Sequence, residues 1–592
     1  MESPEDIDWF LATTANETFW DTSKPIVFLG EWCLRYSRRP FWQHLEGHLL
    51  KGPFDNSESL NEAYRLIGDM YEELLPILGL ALNKFHETHY STRYWRIVIG
   101  PWFYMYITVL FDRYHCLKQA IRLYPNFKTI CLSEDSFVTP SSTLEFAQLS
   151  RTDSYNLQIY TRILSKLGKK YPQKSIPKSQ NTSDQSDIVS SFKHKLISLI
   201  LGPLRLFADF ASPSVFLHNS YFPRIYEIKL ACKSHGRILS NLVLKFGSSK
   251  PSSNSRSCRS RTNLDFTASE ASEFEACLSS MLPLDIPKCF IEDFRGIYNS
   301  SRVGYPRHVK ALMSANSWYF EETFKQYAAI CSEQGSLLLG TAHGGDYGGM
   351  RMMAAEDHET SIVDFYYSWG WSRFDCRAKV IPMPSSKLLG RRKIPPHKKF
   401  VGALWLTTKS SRYLTELPYT PKLFSEYLSW QLRFARRLSP QIISEISVRP
   451  HFEDHGWDIV QRLQDEFPHM SFESWDVPFQ KRLVNCRLYI CDHFSTTFAE
   501  ALAVNKPTIL FWNPEANELR QDAVFYYDLL KKYGILYDHP EAAADAVNHI
   551  YDDVLGWWNL PERQDAIRTF CDQFARTSVD GYALWNKELS KY

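Results

Sequence analysis

The sequence predicts an α/β protein in which a doubly wound parallel sheet follows a helical N-terminal elaboration. Three observations carry this. From about Asp285 onward, short apolar runs alternate with helical patterns, the texture of βα units. Between about Leu60 and Leu123, apolar residues recur at three- and four-residue spacing, as in AYRLIGDMYEELLPILGLAL. The 592 residues exceed what one hydrophobic core serves, so two or three domains are expected.

Taken in chain order, PIVFL (Pro25 to Leu29) is an early buried strand ending at Gly30-Glu31-Trp32. The longest apolar run, Ile97 to Phe111, is short for a membrane span and contains Gly100-Pro101. It predicts a buried helix and leaves peripheral membrane contact open. KSIPKSQNTSDQSD (Lys174 to Asp187) and GSSKPSSNSRSCRSRTN (Gly247 to Asn263) are rich in Ser, Pro and charge, and are expected as loops. In the second, Arg256, Arg259 and Arg261 suit either a solvated loop or an anion-binding arm. GSLLLGTAHGG is then a strand entering a glycine-rich turn. Further strands are expected at Lys399 to Thr408, Ile443 to Pro450, Arg487 to Asp492 and Pro507 to Trp512, with helices such as PKLFSEYLSWQLRFARRL between them. Ligands of such a sheet lie beyond the carboxyl ends of its strands.

Composition narrows the function. The 68 basic and 66 acidic residues give a net charge of +2, so no global field draws the chain to nucleic acid, and any anion site must be local. The twelve cysteines are scattered without a C-x-x-C pair, so they read as reduced core residues rather than disulfides or a zinc site. The opening MESPEDIDWFLATT is acidic and has no apolar signal core, so a cytoplasmic location is expected. Aromatic residues make up 15 % of the chain, which suits deep cores and also flat surfaces that stack on sugars or bases.

Five segments carry candidate chemistry. In CDHFSTTFAEALAVNKPTILFWNP (Cys491 to Pro514), His493, Ser495, Thr496 and Thr497 fall where a strand turns into a helix. Thr497 and Glu500 fit a capping box, and the same helix N-terminus, with its free N–H groups and positive dipole end, fits a phosphate. Glu500, one turn further on, suits the ribose hydroxyls of a nucleotide donor. In GTAHGGDYGGM (Gly340 to Met350), His343 ends a strand before Gly344, Gly345 and Tyr347, and successive N–H groups there can form an anion nest. The segment is neither G-x-G-x-x-G nor a P-loop. Glu356, His358 and Glu359 follow, without the H-E-x-x-H spacing of a zinc site, so no metal is expected; acid–base work or substrate-hydroxyl contacts are. Lys409 and Ser410 follow another strand as a second phosphate-side loop, and Arg449 ends a further strand as a diphosphate clamp or a salt-bridge partner.

Together, FLGEWCLRYSRR and RYWRIVIGPW near the N-terminus, HGGDYG, EDHE and SWGW in the centre, and FSTTFAEALAVNKPTILFWNP resemble a bacterial family of transferases found with O-antigen and other surface-carbohydrate (lipopolysaccharide) biosynthesis genes. The resemblance spans most of the chain. It implies a GT-B-like glycosyltransferase, with two Rossmann-like domains facing a cleft. The expected domains are 1–395, an acceptor-side unit with helical insertions; 396–560, a nucleotide-donor unit; and 561–592, a helical segment. It also implies a nucleotide sugar as donor co-substrate with no separate cofactor, a glycan or lipid-linked glycan acceptor, and a location at the inner face of the membrane. His343 and Glu356 are the candidates for the base, with His358 and Glu359 beside them. A nucleotide-sugar epimerase or hydrolase, or a non-catalytic nucleotide- or glycan-binding scaffold, would use the same architecture.

Overall fold

The structure is a computed structural model and describes residues 8–54, 56–176, 213–242, 260–267, 272–394 and 402–592. Most of both Ser-rich segments, with Arg256 and Arg259, lies outside the described residues, as does the boundary expected at 395/396. Arg261 is described, and its guanidinium is engaged by Glu292 at 2.5 and 2.7 Å and by the Ile286 carbonyl at 2.6 Å.

Among the described residues, two six-stranded sheets, parallel throughout, dominate the fold. The first runs Lys379–Pro382, Phe365–Ser368, Leu337–Thr341, Ala311–Ser314, Val215–His218, Ile238–Ser240. The second runs Ser471–Phe472, Ile446–Arg449, Ala403–Leu406, Leu488–Cys491, Thr508–Phe511, Leu536–Tyr537. Numbered along the chain, the strands of the second sheet stand in the order 3-2-1-4-5-6, so the winding reverses between Ala403–Leu406 and Leu488–Cys491 and a crevice opens beyond their carboxyl ends. The first sheet reverses between Val215–His218 and Ala311–Ser314. These are the two Rossmann-like units of a GT-B arrangement. The start of strand alternation is corrected: Val215–His218 and Ile238–Ser240 precede Asp285, and runs of four and three residues are too short to show a period.

Buried on both faces, the strands read as continuous apolar runs. Alternate residues serve different cores. Phe216, Leu312, Leu338 and Tyr366 face a large core that continues into the N-terminal helices and the second sheet, whereas Val215, Leu217, Met313, Leu339 and Tyr367 face an outer one.

The N-terminal elaboration pairs helices Ser57–His86 and Thr92–Leu123, each started by a side-chain cap: Asn56 accepts from the Ser59 N–H at 2.9 Å and Ser91 from the Tyr94 N–H at 3.1 Å. The run from Ile97 to Phe111 lies inside the second of these, packed against Ser57–His86 and Glu322–Glu333. Among the described residues no helix is long and apolar enough to cross a membrane, and every described cysteine is a free thiol. A small parallel sheet of Phe10–Ala12, Ile26–Phe28 and Gly47–Leu49 completes this part.

The chain ends by returning. After Pro561–Phe574, helix Gly581–Leu589 covers the outer face of the first sheet, where Trp585 is fully buried and donates its indole N–H to the Pro384 carbonyl at 2.8 Å. Trp585→Ala should cost about 3–5 kcal/mol, the scale of a large aromatic removed from a core. Denaturant unfolding checks this; a midpoint equal to that of the unmodified chain would mean that the helix is not docked there.

Candidate active site

A cavity of about 400 Å³ opens where the second sheet reverses its winding. Its lining includes Lys409, Ser410, His493, Ser495 and Thr496 and the aromatic side chains of Phe424, Tyr427, Trp430 and Trp512. Asp346, from the glycine-rich loop of the first sheet, and Arg151, from the N-terminal elaboration, complete the wall.

The strand Leu488–Cys491 ends in Asp492, and the helix Thr496–Ala503 begins after Ser495, which adopts the extended backbone of an N-cap with φ −161°. No side chain caps this helix. The expected capping box is therefore corrected. With Ser495 as N-cap, Thr497 already lies within the first turn and Glu500 two positions beyond the place the box requires. The Thr497 hydroxyl is shared with Ser495 at 2.7 Å and with the Tyr489 hydroxyl at 2.9 Å. Glu500 is buried against Lys387 at 3.0 Å, with Gln480 at 3.4 Å, and neither Thr497 nor Glu500 lines the cavity. The open helix end, with Ser495 as its N-cap and Thr496 as its first residue, presents N–H groups and a positive dipole end to the cavity.

His493 lies beside that end, its Nδ1 2.9 Å from Asp492. Lys409 is ion-paired with Glu453 and rests 5.4 Å from the centre of the Phe452 ring. Arg449 is set apart: its buried guanidinium stacks 4.4 Å over Trp475 and meets Glu473 at 3.3 Å, which is the salt-bridge alternative of its two readings.

On the facing sheet, His343 follows strand Leu337–Thr341. Its Nε2 lies 3.0 Å from Glu359 and 2.8 Å from the Tyr347 hydroxyl, while the second Glu359 oxygen accepts from Tyr366 at 2.9 Å. A carboxylate only accepts hydrogen bonds, so the pairing assigns the proton to Nε2 and leaves Nδ1 with a lone pair. The His343 side chain is 22 % exposed, its ring edge-on to Tyr221. His343 does not itself line the cavity; Asp346, three residues on, does. The two loops touch directly: the Gly345 N–H donates to the Thr496 hydroxyl at 3.2 Å, and a Cβ at Gly345 would stand 2.5 Å from the Ser495 carbonyl oxygen. Gly344 has its own Tyr347 and Asp346 side chains against it.

Two expected acid–base residues are corrected. Glu356 is buried and fully engaged, accepting from the Gly348 N–H at 2.6 Å and pairing with Arg373 at 2.9 Å and Arg520 at 3.1 Å. It joins the two halves rather than facing a substrate. His358 points from the same helix towards Gly100 and Tyr319, and burial, with Lys325 and Arg96 adding to it, pushes its imidazole down to about 3.

Sequence reasoning assigned no role to Asp346, Glu416, Arg151 or Asp492. Glu416 lines the cavity, and burial together with the Asp346 carboxyl pushes it up to about 7, with Arg151 opposing. Asp346 is raised by burial, with His343, His493 and Lys387 acting against the rise. Asp346 stood within a quoted motif; Glu416 and Arg151 lie in segments whose only signal is the fold that brings them together.

A comparison with curated proteins finds no match. Solved structures with some likeness include TarM, at 10 % identity and TM-score 0.30, where 47 % of this chain is covered and the chain spans about half (54 %) of that protein's length. The glycosyltransferase SnogD from Streptomyces nogalater is similar at 12 % identity and TM-score 0.34, covering 64 % of this chain and 100 % of that one. The UDP-GlcNAc 2-epimerase from Neisseria meningitidis is similar at 10 % identity and TM-score 0.36, covering 64 % and 99 %. A family model described as LIC12162 family transferase matches residues 9–589, and with nearly its whole length matched the chain belongs to the LIC12162 family of transferases.

Proposed function

We propose that the protein transfers a glycosyl unit, or a related polyol-phosphate unit, from a nucleotide-activated donor to a surface-glycan acceptor, free or lipid-linked. One observation carries this reading. An uncapped helix end with hydroxyls and His493, on one sheet, meets the His343–Glu359 pair of the other sheet through the Gly345–Thr496 contact. The diphosphate of the donor lies against Ser495, Thr496 and His493, with Lys409 and Ser410 at its flank, and the base against the aromatic wall. The acceptor approaches from the first sheet.

In the transfer, the acceptor oxygen forms its bond to the anomeric carbon and gives its proton to His343 Nδ1. The bond from that carbon to the diphosphate oxygen breaks, and its electron pair leaves with the diphosphate. Glu359 holds the imidazole in the tautomer that leaves Nδ1 basic and stabilises the imidazolium that forms. The helix end and the hydroxyls are already aimed at the charge that develops on the leaving group.

Ser495→Ala should weaken nucleotide binding by about 1–3 kcal/mol, the scale of a hydrogen bond to a charged group. Calorimetry with a panel of nucleoside diphosphates reads this directly, and an unchanged affinity would remove Ser495 from the donor site. His343→Ala should lower turnover by about 10²-fold or more while nucleotide affinity holds. Incubation with a panel of nucleotide sugars, with and without glycans, tests the reaction itself. Nucleotide release that requires the acceptor supports transfer, and release or isomerisation without it points to a hydrolase or epimerase.

A further inference from the structure

We infer that Asp492, a residue of the second sheet to which no role has been given, is a positioning residue that holds the His493 ring as a fixed cation facing the departing diphosphate. The inference rests on the nucleotide-donor reading of the cavity. Asp492 is 1 % exposed, and both its oxygens are occupied. One accepts from the Tyr427 hydroxyl at 2.9 Å and lies 2.9 Å from His493 Nδ1; the other accepts from the Trp405 indole at 2.9 Å and the Gln431 amide at 3.0 Å. Three of these four partners carry no positive charge. The negative charge of a desolvated carboxylate is therefore matched by the one partner that can take up a proton, His493.

The placement gives that charge a use. His493 lines the cavity two residues before the N-cap Ser495, so its positive charge adds to the dipole end and N–H groups of the helix. The titratable groups that face it are Asp492, whose same oxygen also holds the Tyr427 hydroxyl, Cys491, whose Sγ is 3.7 Å from Nδ1, and Asp346 on the opposite loop. Burial opposes protonation of the ring, but Cys491 and Asp492 outweigh burial and raise it to about 10. When the bond from sugar to phosphate breaks, its electron pair moves onto an oxygen next to a cation that is already in place and needs no reorganisation. Asp492 also borders the cavity, but both its oxygens are engaged by Tyr427, Trp405, Gln431 and His493, so it acts through the ring.

NMR titration of histidine-labelled protein, without ligand, should show His493 still protonated at about pH 8.5, and in Asp492→Asn losing its proton at a distinctly lower pH, Cys491 alone then opposing burial. Calorimetry with UDP, GDP, CDP and ADP between about pH 7 and 9 should give a flat affinity for the unmodified protein. It should fall roughly tenfold across that range in Asp492→Asn, where the ring loses its proton. Tyr427→Phe keeps the carboxylate, removes one neutral donor and should stay flat. A ring that is neutral at about pH 7 in the unmodified protein overturns the inference, and that measurement needs no variant to fold. Matching pH profiles for Asp492→Asn and Tyr427→Phe overturn it as well. If none of the diphosphates binds the unmodified protein, the nucleotide-donor reading falls, while the ligand-free titration still decides whether Asp492 holds the ring charged.

Discussion

Backbone meets backbone at Gly345, where the loop leaving the first sheet presses against Ser495 and Thr496 of the second with no room for a side chain between them. The glycine N–H donates to the Thr496 hydroxyl, so the contact is bonded as well as close. Four residues on, Gly349 is crowded in the same way by Phe494 and the Tyr527 hydroxyl. Much of the site depends on this joint. It sets the distance between His343 and the open helix end, and it brings Asp346 to the wall of a cavity formed mostly by the other sheet's unit.

Charge and backbone pairing fasten the same joint from behind. Met350 and Leu519 form an antiparallel bridge, the Arg520 N–H donates to the Gly349 carbonyl at 2.9 Å, and the Arg351 N–H donates to the Glu518 carbonyl at 2.9 Å. Glu356 lies at the centre, holding the Gly348 N–H and two arginines, one from each half. A buried carboxylate so fully satisfied is costly to disturb, because removing a partner leaves a charge unpaired in a poor solvent for it. Its chemistry is thus spent on alignment. The neighbouring Glu359 on the same helix is held by neutral tyrosines and orients a histidine.

The sequence made some of this legible and hid the rest for physical reasons. Strand-to-helix junctions are local features, so the hydroxyls at Ser495 and Thr496 and the histidine after GSLLLGTA could be found from their flanks. A capping box is local too, but its register depends on where the helix begins. An N-cap at Ser495, two residues earlier than Thr497, moved Thr497 and Glu500 out of it. Glu356 and His358 were misjudged, and Arg449 stayed between two readings, because their partners, Arg520, the N-terminal helices and Glu473, are distant in sequence or in other elements. Asp492 looked like the last residue of a strand; apart from His493 next to it, its donors come from strand Ala403–Leu406 and helix Pro421–Arg437, which only the fold brings to it.

The Gly345 joint bears on how a substrate enters. Two-lobed clefts commonly admit a ligand by swinging apart and gain selectivity by closing on it. Here such a swing would break the Met350–Leu519 bridge, pull Glu356 from Arg520 and separate Gly345 from Thr496. The site is assembled before anything arrives, so a ligand meets a preformed wall and little binding energy is consumed in ordering it. If the cavity is the donor site proposed above, selection would fall on its aperture rather than on a closing motion, as with a keyhole rather than a hand.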